Sequence, residues 1–206
     1  MPIKRLLCAL GLALSPVLVW AASAEEQLRH FVEQVSSAQG QFSQQTLSQG
    51  QAKPAQSGQF SFMRPGRFKW QVTKPYQQLV VSDGKTLIQY DPDLAQVTQR
   101  DVSQSIGASP AAILFGSGSL DQAFTLKVLP DQDNLSWLRA TPRTADAGFR
   151  YVDLAFADNL PVKIIVHDSF GQKTAIVLSH IQPNPKLSPN EFTFKAPEGV
   201  DRVTLQ

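Results

Sequence analysis

The chain has 206 residues, 42% of them hydrophobic, with a formal charge of +2 and a single cysteine. One thiol excludes a disulfide framework and a multi-cysteine zinc site. Two of the basic residues, Lys4 and Arg5, precede an apolar run. Without them 17 basic residues face 17 acidic ones, which leaves no charge excess to favour nucleic acid or an acidic surface.

Lys4 and Arg5 read as the basic start of a secretory signal peptide. Leu6 to Trp20 is its apolar stretch, and Ala21 or Ala24 marks the cleavage site. Cys8 leaves with that segment, so no lipid-modified cysteine is expected. No later stretch approaches the roughly 20 apolar residues of a membrane span. The expected division is a signal peptide over 1–21 and one domain over 22–206, with about 180 residues to build a core.

Leu28, Phe31, Val32 and Val35 recur at helical spacing, which predicts an amphipathic helix over Ala24–Ser36. Glu25 and Glu26 in its first turn suit the helix dipole. Strands are predicted over Gln39–Leu47, Gly58–Arg64, Arg67–Val72, Gln78–Ser82, Thr86–Tyr90 and Ala95–Arg100. Asp83-Gly84 is expected as a two-residue hairpin turn. Pro110–Phe115 reads as a short apolar helix with Pro at its first position and Gly116 as its stop. Further strands are predicted over Phe124–Leu129, Leu135–Ala140, Phe149–Phe156, Val162–Asp168, Thr174–Ile181 and Glu191–Lys195. The composite is a mainly β single domain with some α. It is an open, incomplete antiparallel barrel of about 10–11 strands, with short helices on its concave, hydrophobic side.

Alternation puts Gly58, Phe60, Phe62 and Arg64 on one strand face, and Phe68, Trp70 and Val72 on one face of the next. A three-residue loop Pro65-Gly66-Arg67 would pair Arg64 with Phe68, Phe62 with Trp70 and Phe60 with Val72. That register makes one aromatic face with Arg64 at its rim. A guanidinium there needs acceptors, because it does not deprotonate and is costly to bury unpaired. From the pattern alone two readings stay open. Arg64 reaches solvent at the strand end, or it bonds the orphaned carbonyls of a helix C-terminus.

Several segments together resemble the periplasmic outer-membrane lipoprotein carrier family, LolA. They are "VWA" at the end of the signal peptide, "VSS" at 35–37 with "QFSQQ" after it, and "RPGRFKW" at 64–70. "LVVSDGKTLIQYDP" at 79–92, "SPAAILF" at the short helix and "FTFKAPEGVD" at 192–201 complete the set. The resemblance implies a hydrophobic cavity for lipoprotein acyl chains, lined by Phe60, Phe62, Phe68, Trp70, Val72, Leu28 and Phe31. It implies that Arg64 locks the lid in the closed form, with counterparts near Val32, Leu114 and Phe115. It also implies residence in the periplasm as a monomer. The implied partners are acylated lipoproteins as cargo, an inner-membrane ABC transporter that releases them, and an outer-membrane receptor lipoprotein. Ala111-Ala112 departs from the bulkier residues usual in the lid. A lipid-sensing module of the envelope stress response on the same fold is the competing reading.

Other chemistry finds little support. His30, His167 and His180 have no metal-ligand spacing, so no metal or cofactor is expected. Ser169, His167 and Asp168 are sequence neighbours and cannot adopt the roles of a triad, and no G-x-S-x-G occurs. Asp131–Asn134 lacks the glycine and distal glutamate of a calcium loop and reads as a polar turn. The expectation is a carrier and not an enzyme.

Overall fold

The computed structural model describes residues 22–102, 120–144 and 148–204. Helix α1 spans Ala24–Gln34. It is followed by β1 (Ser37–Ser48), β2 (Gln51–Ala52), β3 (Gln56–Met63), β4 (Arg67–Lys74), β5 (Gln78–Asp83), β6 (Thr86–Asp91) and β7 (Gln96–Asp101). A one-turn helix α2 (Leu120–Ala123) leads into β8 (Phe124–Gln132), β9 (Leu135–Pro142), β10 (Phe149–Ala157), β11 (Leu160–Asp168) and β12 (Lys173–Pro183). A 3₁₀ turn at Pro189–Phe192 and strand β13 (Asp201–Thr204) follow.

The described strands form one unclosed 13-stranded sheet in the order β13-β7-β6-β5-β4-β3-β1-β12-β11-β10-β9-β8, with β2 paired to β1. Two antiparallel runs, β3 to β7 and β8 to β12, meet on either side of β1. The expected open barrel is present, with more strands than expected. Strand β2 is two residues long, and β13 has four exposed residues with no apolar alternation, so neither carries a pattern. Strand β13 pairs parallel to β7, the exception in an otherwise antiparallel sheet.

Alternation predicts the inward face correctly across the sheet. Ala38, Phe42, Phe60, Phe62, Phe68, Val72, Leu138, Leu154, Ile164 and Leu178 join one buried cluster on the concave side. Helix α1 contributes Ala24, Leu28 and Phe31 to it, and the residue that caps its end, Val35, joins them. The helix begins at a capping box: Ser23 Oγ accepts from the Glu26 amide, and Glu26 Oε2 accepts from Ser23 N at 2.8 Å. It stops at Gln34, two residues before the expected Ser36.

Three local expectations are corrected. Phe62 pairs with Phe68, Phe60 with Trp70 and Gly58 with Val72, so the hairpin register sits two residues from the expected one. A shift of two preserves the face, and the aromatics still converge. The loop is Arg64-Pro65-Gly66, with Gly66 at φ +69, and Arg64 stands in the loop instead of the strand. In the next hairpin Ser82 pairs with Leu87, so the two-residue turn is Gly84-Lys85 and not Asp83-Gly84. Asp83 Oδ1 instead accepts from the Lys85 and Thr86 amides, both at 2.8 Å, while Gly84 takes φ +95. Finally, Glu191–Lys195 is no strand. Ser188 caps the 3₁₀ turn Pro189–Phe192, and the chain from Asn184 to Val200 runs across the convex face as a strap.

That strap creates a second buried layer. Phe192 is 1% exposed, and Val81 and Val97 are buried on the convex side of β5 and β7, outside the concave cluster. Phe194 packs against Tyr90 with ring centroids 5.2 Å apart. Among the described residues no helix is long and apolar enough to cross a membrane.

Candidate functional site

The concave face of β1, β3 and β4 is aromatic because two glycines make room. Phe42 stacks on Trp70 with centroids 3.8 Å apart, across the position of Gly58. A Cβ at Gly58 would lie 1.8 Å from the Gln71 carbonyl oxygen and 3.0 Å from the Phe42 ring. Gly40 faces Phe60 in the same way, and a Cβ there would meet that ring at 2.8 Å. Phe60 and Trp70 are stacked at 6.0 Å, and Phe62 meets Phe31 of α1 edge-on at 5.9 Å.

Arg64 enters this apolar surface from the β3–β4 loop. Its Cζ lies 5.1 Å from the Phe62 centroid and 5.5 Å from that of Phe31. Its Nε donates to the Val35 carbonyl at 3.0 Å, and its backbone N donates to the Ser36 carbonyl at 2.8 Å. The end of α1 is therefore where the orphaned carbonyls of a helix meet a cation. Burial pulls the guanidinium down to about 10, which leaves it charged at neutral pH. The two rings and the carbonyl partly offset the cost of drying the charge.

A second side chain works on the same helix end. Asn184, the first residue of the strap, donates from Nδ2 to the Gln34 carbonyl at 3.0 Å. Its Oδ1 accepts from Ser36 N at 2.8 Å. Gln34 and Val35 thus each surrender a carbonyl to a side chain from elsewhere in the fold. The sequence pattern signals neither Asn184 nor Val35 as a partner of the helix end. Val35 lies three residues beyond Val32, which itself packs half-buried against the core. Leu114 and Phe115 lie outside the described residues, as does the short helix Pro110–Phe115.

The residues expected to line a cavity are brought together. Leu28, Phe31, Phe60, Phe62, Phe68 and Val72 are buried, and Trp70 is half-buried, all in the concave cluster. Among the described residues these side chains pack closely against one another. The gap bounded by Phe31, Ala38, Phe60, Phe62, Pro161, Leu178 and Ile181 has no room for a water-sized sphere. Phe42 and the β9–β12 members of the face carried no sequence signal as site residues. Phe42 sits in the polar run "QGQFSQQ", where its inward direction follows only from alternation with Ala38 and Gly40.

Comparison with known proteins narrows what such a surface belongs to. The sequence model of the family described as "Outer membrane lipoprotein carrier protein LolA" matches residues 33–195. The chain belongs to this family. An outer-membrane lipoprotein carrier protein of Bordetella avium is 58% identical over 204 residues, 98% of each chain. The corresponding protein of Bordetella pertussis is 56% identical over 194 residues, 94% of this chain and 92% of that one. Among solved structures, a LolA superfamily protein from Nitrosomonas europaea covers 84% of this chain and 99% of its own, with TM-score 0.52 and 16% identity. An uncharacterised conserved protein from Thermus thermophilus covers 89% and 100%, with TM-score 0.56 and 12% identity. These two share the fold. Family membership agrees with the resemblance read from "RPGRFKW" and its neighbouring segments.

Proposed function

We propose that this protein is a periplasmic carrier that shields the acyl chains of lipoproteins between two membranes. It takes them from an inner-membrane ABC transporter and passes them to an outer-membrane receptor lipoprotein. Residues 1–21 are its export signal, and it performs no chemistry on its cargo. The cavity is the concave face of Phe60, Phe62, Phe68, Trp70 and Val72 under Leu28 and Phe31. The lock is Arg64 with the backbone near Val32, Leu114 and Phe115.

The observation that carries this reading is a charged side chain inside the aromatic face, bonded to the end of the helix that covers it. A purely structural core gains nothing from a buried cation. A carrier does. Acyl chains gain about 0.8 kcal/mol for each CH₂ taken from water, so unaided transfer across an aqueous compartment is slow and a simple greasy pocket would not let go. Self-filling gives the pocket a competing closed state. Each bond made by Arg64 in that state, about 1.5–3 kcal/mol, lowers the apparent affinity for cargo by roughly 10- to 150-fold.

Arg64→Leu removes the bond and keeps an apolar side chain. The variant is expected to accept acylated lipoprotein but to release it poorly to the receptor. A transfer assay with purified lipoprotein and receptor measures both steps, and wild-type release by the variant would overturn the lock. Mass spectrometry of the protein drawn intact from the periplasm tests the cargo directly. A co-purifying acylated lipoprotein is the expected result.

A further inference from the structure

The convex face of the sheet is divided. Over β4 to β7 it is covered by the strap. Over β8 to β12 its outer rows stay partly open, and they are ordered by charge. Lys127, Arg139 and Asp153 form one cross-strand row, continued by Ile165 and Ala175. The neighbouring row runs Leu129, Trp137, Ala155, Lys163 and Val177. A third aligns Tyr151, His167 and Lys173. Asp153 is the single acid of these rows, and it is consumed. Arg139 holds it with Nε at 2.6 Å and Nη2 at 2.8 Å.

The cations rest on aromatic rings. Arg139 Cζ is 3.8 Å from the Tyr151 centroid, Tyr151 stacks on His167 at 4.3 Å, and Lys163 Nζ is 5.7 Å from the Trp137 centroid. Lys127, Lys173 and Val177 are exposed. Lys127, Lys163 and Lys173 have no described acidic partner. A chain with balanced charge from residue 22 onward has thus collected an unneutralised positive layer on one surface.

We propose that the convex face of β8 to β12 is a docking surface for an acidic, extended segment of a partner protein. Charge complementarity selects the sign of the partner. The width of the patch selects its form. Trp137 is only 7% exposed and Tyr151 lies beneath Arg139, so neither ring of the rows projects as a bilayer anchor would; the exposed Phe170 lies off the rows, in the β11–β12 turn. The lysines are spread from β8 to β12, about 19 Å at the strand spacing, which is the reach of about six extended residues. The surface faces away from the aromatic cavity, so docking there leaves Arg64 and α1 unobstructed.

The test is a titration of the purified protein with fluorescein-labelled deca-glutamate at low salt, read by anisotropy and by backbone amide shifts. Binding is expected, with shifts on the outer rows of β8 to β12. The triple variant Lys127→Glu, Lys163→Glu, Lys173→Glu should weaken it by at least about tenfold, and added salt should weaken it further. The variant retains Arg139–Asp153, and an unchanged thermal transition confirms its fold. Absent binding, or shifts centred on Lys69 and Lys85, overturns the proposal. Sedimentation with phosphatidylglycerol vesicles that the triple substitution abolishes, in the absence of peptide binding, overturns it in favour of a lipid surface.

Discussion

One curved sheet buries aromatics on both of its faces, and the two burials are built differently. On the concave side α1 packs over β8 to β11 and meets the aromatic face where Phe31 touches Phe62, with a guanidinium among the rings and a hydrogen bond at the end of the helix. On the convex side the strap presses Phe192 and Phe194 onto β4, β5 and β6 with no described cation between them. The first cover adds directional bonds at its end to the apolar packing of Leu28, Phe31 and Val35. The second is continuous apolar packing, and apolar contact is non-directional. The difference is the set of directional bonds at the end of α1, which the strap over Phe192 and Phe194 does not show among the described residues.

The sharpest way to break this comparison is Phe192→Ala. Loss of a fully buried ring should cost about 3–5 kcal/mol, read as a lower midpoint in chemical unfolding. If the midpoint barely moves, the strap is not a fixed part of the fold. Next comes Arg64→Leu, whose expected effect is on release of lipoprotein and much less on the unfolding midpoint, because removing the charge also removes its desolvation cost. A large loss of stability would put Arg64 with Phe192 as a fixed part of the fold. Trp70→Glu should weaken binding of a hydrophobic dye and of cargo while the far-ultraviolet circular dichroism stays unchanged. Equal dye binding in variant and wild type would remove Trp70 from the cavity.

Smaller effects sharpen the picture. His167 is held below its usual range by burial, with Asp153 opposing and Lys173, Arg139 and Arg150 adding to the depression. The native state therefore binds fewer protons than the unfolded chain at this site. Stability is full above about 6.5 and is lost as pH falls through the lower native value. His167→Gln should flatten that part of the pH–stability curve, and an unchanged slope would assign it to other groups. Smallest is Arg29→Ala. Arg29 bridges Glu25 and Asp121 at 2.9 Å, but all three are well exposed. Its removal should cost under about 1 kcal/mol.

Much of this was legible in the sequence, and for identifiable reasons. Strands with one buried face announce themselves by alternation, so the inward direction of Phe60, Phe62, Phe68 and Trp70 could be read directly. Register could not, because it depends on which residues the loop absorbs. The run Arg64-Pro65-Gly66-Arg67 is compatible with more than one choice. The segment "EFTFK" alternates like a strand, yet Ser188 and Pro189 turn it into a strap whose phenylalanines pack onto the sheet instead of joining it. Arg64 was conspicuous as a cation on an apolar face. Asn184 was not, since an asparagine in a proline-rich loop normally signals only a turn.

Asn184 serves both surfaces. One amide side chain clamps the end of α1 on one side of the sheet, and the same residue begins the segment that covers the other side. The two surfaces are therefore joined where the chain leaves β12, by Asn184 on Gln34, Ser36 and Ser37 and by Pro185 on Ser37. Pulling, tagging or bending the chain beyond Pro183 reaches the end of α1 and the start of β1 together.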